Sequence, residues 1–148
     1  MERTPIASSA VNTYVLPRVL IDADFEWVPV TSDTKPWYQF VFTKYKVVTS
    51  IQVQGSKTLS AWITKYHLLT SQNQFDWQAY TLNLNGSRIR IFDGPSWGPN
   101  APAVASYLNP PATGNSFRIV VDEYNSQAIG RFSLKGCSRL FSDSYDLQ

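Results

Sequence analysis

Alternation with a period of two constrains this chain most, because side chains that change faces at every residue build strands and cannot line one side of a helix. It recurs in segments rich in β-branched and aromatic residues: Trp37 to Phe42, Val47 to Gln54, Ala61 to Ser71, Gln78 to Leu84, Ser87 to Phe92, Ser116 to Asp122 and Ala128 to Lys135. No amphipathic helix competes with them. Asn85-Gly86, between Leu82, Leu84 and Ile89, Ile91, is the strongest hairpin signal, since both residues tolerate the positive φ of a type I′ turn. Tyr14 to Pro36 and Gly94 to Gly114 are long and punctuated by Pro and Gly, and read as loops of the kind that carry function or motion. Short strands joined by such loops predict an all-β sandwich or barrel.

A chain of 148 residues suffices for one self-supporting core. With 43% hydrophobic, 14% aromatic and only 16% charged residues, it is globular. Thirteen basic against eleven acidic residues leave a net charge of +2, and no two Lys or Arg are adjacent. Phosphate neutralisation needs a basic stripe, so nucleic acid is excluded as a partner. No apolar stretch is long enough for a transmembrane segment, and Met1 to Pro5 lacks the apolar core of a signal peptide. The polar stretch Ser138 to Gln148 reads as a fraying tail, leaving residues 1–137 as the domain.

The residues argue against catalysis. His67 is the only histidine and stands in the alternating strand Ile63, Lys65, His67, Leu69, where a ring is structural far more often than it is a base. There is no P-loop, no dinucleotide-type glycine pattern and no His-rich or Cys-rich spacing. Asp122 and Glu123 would point to opposite faces of a strand. Cys137 is the only cysteine, which excludes an internal disulfide and a multi-cysteine metal site. Asn85-Gly86-Ser87 is the sole glycosylation sequon. Asp22, Asp24 and Glu26 precede Trp27 at spacings of two, which is either a weak calcium loop or a solvated acidic one.

In order, Ile6-Ala7-Ser8-Ser9, Pro17-Arg18-Val19-Leu20, Trp27, Trp37-Tyr38-Gln39-Phe40-Val41-Phe42, Val53-Gln54-Gly55 and Ala61-Trp62-Ile63-Thr64-Lys65-Tyr66 lead to Trp77. Phe92-Asp93-Gly94, Leu108-Asn109-Pro110-Pro111, Phe117-Arg118-Ile119, Ala128-Ile129-Gly130-Arg131-Phe132 and Gly136-Cys137 follow. Taken together they resemble the discoidin family, which includes the C domains of coagulation factors V and VIII and is similar in fold to family 32 carbohydrate-binding modules. The resemblance runs from about Ile6 to Cys137. It implies an antiparallel eight-stranded β-sandwich, or distorted jelly-roll barrel, whose loops at one end grip phospholipid, glycan or protein. It also implies that Trp27, Trp37, Trp62 and Trp77 fill the core or seal its ends.

Three departures bear on function. The family ties its first strand to its last with a disulfide; Cys137 fills the last position and Met1 to Ile6 offers no mate. The thiol then belongs to a chain trimmed upstream, one adapted to reducing conditions, or one that pairs between molecules. Carbohydrate-binding relatives hold calcium near the equivalent of Asp22-Ala23-Asp24 with help from a Glu in the last strand, where this chain has Ser133, so no cofactor is expected and calcium is the single ion the pattern admits. The membrane-binding relatives carry bulky aromatic spikes in the first loop, where this chain has Val11-Asn12-Thr13-Tyr14-Val15.

The expectation is a non-catalytic, extracellular or cell-surface adhesion module for a glycan or glycoprotein. Peripheral binding to anionic phospholipid and a plain protein-assembly role are the rivals. The resemblance puts the ligand edge on Asn12 to Leu16, Ser56 to Ser60 and Tyr124 to Gln127. Tyr14, Val15, Lys57, Leu59 and Tyr124 are its contact residues. Trp97, in Pro95-Ser96-Trp97-Gly98-Pro99, is either a further exposed contact or a lid folded over the core.

Overall fold

The structure, a computed structural model, describes residues 3–82, 88–137 and 145–146. Among the described residues, eight strands form one curled antiparallel sheet: β1 (Ile6–Ala7), β2 (Trp37–Gln54), β3 (Trp62–Ser71), β4 (Trp77–Ala79), β5 (Phe92–Asp93), β6 (Val104–Asn125), β7 (Arg131–Cys137) and β8 (Tyr145–Asp146). The order is β4-β3-β6-β2-β7-β8, with β1 beside β2 and β5 beside β3.

Two strands are much longer than the alternation suggested, and they make the sandwich. The first part of β2 pairs with the second part of β6, from Trp37 opposite Val120 to Val41 opposite Ser116. After a register break, Lys46 to Val53 runs back between the first part of β6 and β7. Both strands therefore turn from one layer into the other at a corner near residues 42–46 and 114–116. Exposed Thr43-Lys44-Tyr45 marks the corner and had read as a break between two strands. In the same way, Val104 to Gly114, expected as loop, is strand. Its prolines fit because Val48 pairs with Ala112 and Ser50 with Tyr107, leaving Pro110 and Pro111 in an unpaired bulge where no N–H is needed.

The hairpin is observed only at its flanks. Leu82 N–H donates to the Arg88 carbonyl and Arg90 N–H to the Tyr80 carbonyl (2.8 and 3.0 Å), whereas Asn85-Gly86 itself lies outside the described residues. Of the segment expected to fray, Tyr145–Asp146 pairs along Lys135 and Gly136.

The inward faces bury Trp27, Tyr38, Phe40, Phe42, Ile51, Val53, Ile63, Tyr66, Leu68, Phe117, Ile119, Phe132 and Leu134. The polar tips of the large aromatics are satisfied, as burial requires: Trp27 Nε1 donates to the Ser9 carbonyl and Tyr38 Oη to the Leu16 carbonyl, each at 2.8 Å. Trp37, Trp62 and Trp77 are only half-buried, so of the two expected roles they do not fill the core, and Trp62 lies at the loop end against Gly98. Trp37 and Trp77 instead clasp the Arg118 guanidinium, 3.7 and 4.2 Å from their ring centroids, on the side of the sheet away from the core. His67 is half-buried there too, its Nδ1 2.8 Å from an Asp122 carboxylate oxygen.

Candidate functional site

β2 ends, β3 begins, and β6 both begins and ends at the same end of the sandwich, so the loops 20–27, 55–61, 94–103 and 124–130 converge there. What holds two of them together is a buried cation. Arg131 opens β7 fully buried, with Nε and Nη2 donating to the Gly55 carbonyl at 3.0 and 2.8 Å and Nη1 to the Ala23 carbonyl at 2.9 Å. Burial lowers its pKa, opposed by the nearby carboxylates of Glu26, Asp22 and Asp24. The guanidinium thus clamps two loops separated from it by 76 and 108 residues of chain, and nothing in the local sequence pattern announces it.

The three acids read as a candidate calcium loop are engaged with protein donors. Asp22, at φ 63, takes both halves of a reciprocal pair with Gln54: its N–H donates to Gln54 Oε1 at 2.8 Å, and Gln54 Nε2 donates to its carboxylate at 3.0 Å. Asp24 pairs with Lys57, whose hydrogen bond and charge hold the exposed carboxyl below its ordinary range. Glu26 accepts from the Ser56 hydroxyl at 3.0 Å and the Lys57 N–H at 3.1 Å. Ser133 is buried and pairs with Gln52. Among the described residues no group of three or more His, Cys, Asp or Glu is arranged to hold a metal.

The proposed contact residues fall as follows. Lys57 and Leu59 are exposed on the 55–61 loop. Tyr124 is 53% exposed at the end of β6, and its neighbour Asn125 donates to the Ser60 carbonyl at 3.0 Å. Trp97 is 58% exposed, so it stands in solvent and is no lid. The adjoining Gly98 packs flat on Trp62, where an added Cβ would lie 3.0 Å from ring carbon Cε3. Tyr14 is 88% exposed on a 3₁₀ segment, Thr13–Arg18, capped by Asn12. That segment reaches the loop cluster through Arg18, whose guanidinium lies 5.5 Å from the Phe25 ring centroid. Val15 belongs to the same segment but packs against the core, because the tight 3₁₀ turn directs it inward.

Sequence reasoning missed a groove beside these loops. It has a volume of about 430 Å³ and is lined by Trp62, Thr64, Lys65, Asp93, Ser96 and Asn125. Lys65 Nζ meets an Asp93 carboxylate oxygen at 2.8 Å, and this contact raises the lysine pKa. The groove therefore offers an aromatic wall and fixed hydrogen-bonding groups with no net charge.

Comparison with known proteins places this arrangement. The model of the F5/8 type C domain matches residues 6–134. Human and mouse coagulation factor V are 27% and 29% identical over 114 residues, which cover 75% of this chain and 5% of each of those proteins. Among solved structures, wild-type discoidin II from Dictyostelium discoideum superposes with a TM-score of 0.76 at 18% identity, over 88% of this chain and 52% of that one. The family 32 carbohydrate-binding module of Clostridium perfringens NanJ, solved in complex with galactose, superposes at 0.60 and 14% identity, over 87% of this chain and 92% of that one. These neighbours share the curled antiparallel sandwich, and the family match spans nearly every described strand: the chain belongs to the F5/8 type C domain family.

Proposed function

We propose that this domain is a non-catalytic recognition module, acting outside the cell or at its surface, that binds a glycan or glycoprotein at the loop end. The observation that carries the reading is the groove of Trp62, Lys65, Asp93 and Asn125; Trp97 and Tyr124, next in the chain to its lining residues Ser96 and Asn125, are exposed. Unmodified hexoses are neutral, with a C–H face that stacks on aromatics and hydroxyls that need both donors and acceptors. A module of the same fold was solved holding galactose, which supports this ligand class.

Three of the cations at this end are already occupied. Lys57 faces Asp24, Lys65 faces Asp93, and Arg131 is spent on backbone carbonyls. Anionic headgroups would have to displace these partners, which weakens the attraction that peripheral binding relies on. One observation favours membrane insertion as the second reading: Val11, Tyr14 and Leu59 present 69%, 88% and 48% of their surface to solvent, as apolar loop tips entering a bilayer do.

The test joins a glycan array to a pull-down with phosphatidylserine vesicles. Saccharide binding that is indifferent to salt supports the proposal, and vesicle binding that weakens with salt without any array signal overturns it. On the second reading, replacing Tyr14, Leu59 and Tyr124 together by Ser is expected to abolish vesicle binding while leaving thermal unfolding nearly unchanged, since each contact contributes about 1–3 kcal/mol. Parental affinity in that variant would remove the loop tips from the site.

A further inference from the structure

At the opposite end, where β3 stops and the Pro110-Pro111 bulge stands beside β4, a second groove of about 470 Å³ opens over a floor of buried Ser71 and Ala112. We propose that this groove is a separate ligand site, for a neutral saccharide unit.

Three properties lead to that class. The side-chain amides of Gln72 and Gln78 are exposed and make no hydrogen bond within the described residues. Each presents a donor and an acceptor side by side, the arrangement that grips neighbouring hydroxyls. Between them stands Asp76, whose carboxylate receives Asn73 Nδ2 on one oxygen at 2.7 Å and keeps the other for a ligand. Among the described residues no Lys, Arg or His lines the groove, so phosphate, sulfate or uronate would find no counter-charge there. The apolar part of the lining is confined to two alanines, the prolines and the half-buried Tyr80. That is enough for one C–H face of a pyranose and too little for an acyl chain.

The groove is also held ready. Asn73 Oδ1 accepts the N–H groups of Phe75 and Asp76, both at 2.8 Å, and Ser71 Oγ accepts that of Gln74 at 2.8 Å, which fixes the turn at the mouth. Tyr80 Oη donates to the Pro110 carbonyl at 2.6 Å, tying one bank to the other. Rigid walls spare a ligand the cost of ordering them. The volume lies within the range of about 300–1,000 Å³ usual for small-ligand sites. These residues are distinct from those at the loop end, so the two readings stand or fall separately. A domain with both sites filled would bridge two glycans.

The experiment titrates the isotopically labelled chain with free galactose, N-acetylgalactosamine, glucose and mannose, and with inorganic phosphate, following backbone amide resonances. At least one sugar should move the resonances of residues 70–81, 112 and 113 in a saturating manner, and phosphate should not. Gln72→Ala combined with Gln78→Ala should weaken that response at least about tenfold, the value of one good hydrogen bond, while leaving the melting temperature in place. Four sugars that leave these resonances unmoved would refute the site. So would shifts confined to residues 57–65, 93–98 and 124–125, a response to phosphate, or a double variant that responds like the parent.

Discussion

Arg131 keeps its charge where water does not reach, and its side chain carries more of the loop end than any exposed residue does. Arg131→Met would leave the Gly55 and Ala23 carbonyls without donors inside the protein. The expected loss is about 3 kcal/mol, or roughly 10 °C in Tm for a domain of this size. Arg131→Lys should recover little, because an ammonium cannot fork between two carbonyls as a guanidinium does. Thermal unfolding followed by far-ultraviolet circular dichroism checks both variants, and a parental Tm for Arg131→Met would refute the clamp. At this scale the exposed part of the proposed ligand edge was legible through the family resemblance, and the buried residues that support it were not. Tyr14, Lys57, Leu59 and Tyr124 stood out because the family resemblance placed their loops at the ligand edge, where each is an apolar or charged residue among polar ones. Trp62, Asn125, Gln54 and Arg131 did not, because each draws its role from a segment far away in the chain.

Among the elements, β2 and β6 show where period-two reading stops. Tyr38 to Phe42 are buried at every position, because this stretch is covered on both sides as it nears the corner, and alternation vanishes with the exposed face. The bulge at Pro110-Pro111 looked like loop because proline cannot join a ladder; the strand simply leaves them out of it. A close approach on β7 gives the test. A Cβ on Gly136 would lie 1.9 Å from the Val47 carbonyl oxygen, so Gly136→Ala must push β7 away from β2. Overpacking of this kind costs about 1–3 kcal/mol or more. A reduced denaturation midpoint with an unchanged denaturant slope is the expected result, and an unshifted midpoint would contradict the packing of the two strands.

Across the whole molecule, the fold is held by an apolar core and a loop end that supplies its own counter-ions, so we expect folding without a divalent metal. Asp22, Asp24 and Glu26 already have Gln54, Lys57 and Ser56 as partners, and no helix among the described residues is long and apolar enough to cross a membrane. Adding a chelator should leave the melting temperature unchanged, whereas a fall of several degrees would return Asp22 and Asp24 to the role of ligands. The sharing of β2 and β6 between both layers also sets the timing of folding. Val41 waits for Ser116 and Val53 for Val104 and Phe132, so beyond the two-residue contact with β1 the central strand has no neighbour to zip onto until most of the chain has left the ribosome. Contacts between residues so far apart in sequence make for slow closure. A nascent chain that has reached only β3 would carry Phe40, Phe42, Ile51 and Ile63 uncovered, and shielding them in that interval falls to the cell and not to the domain.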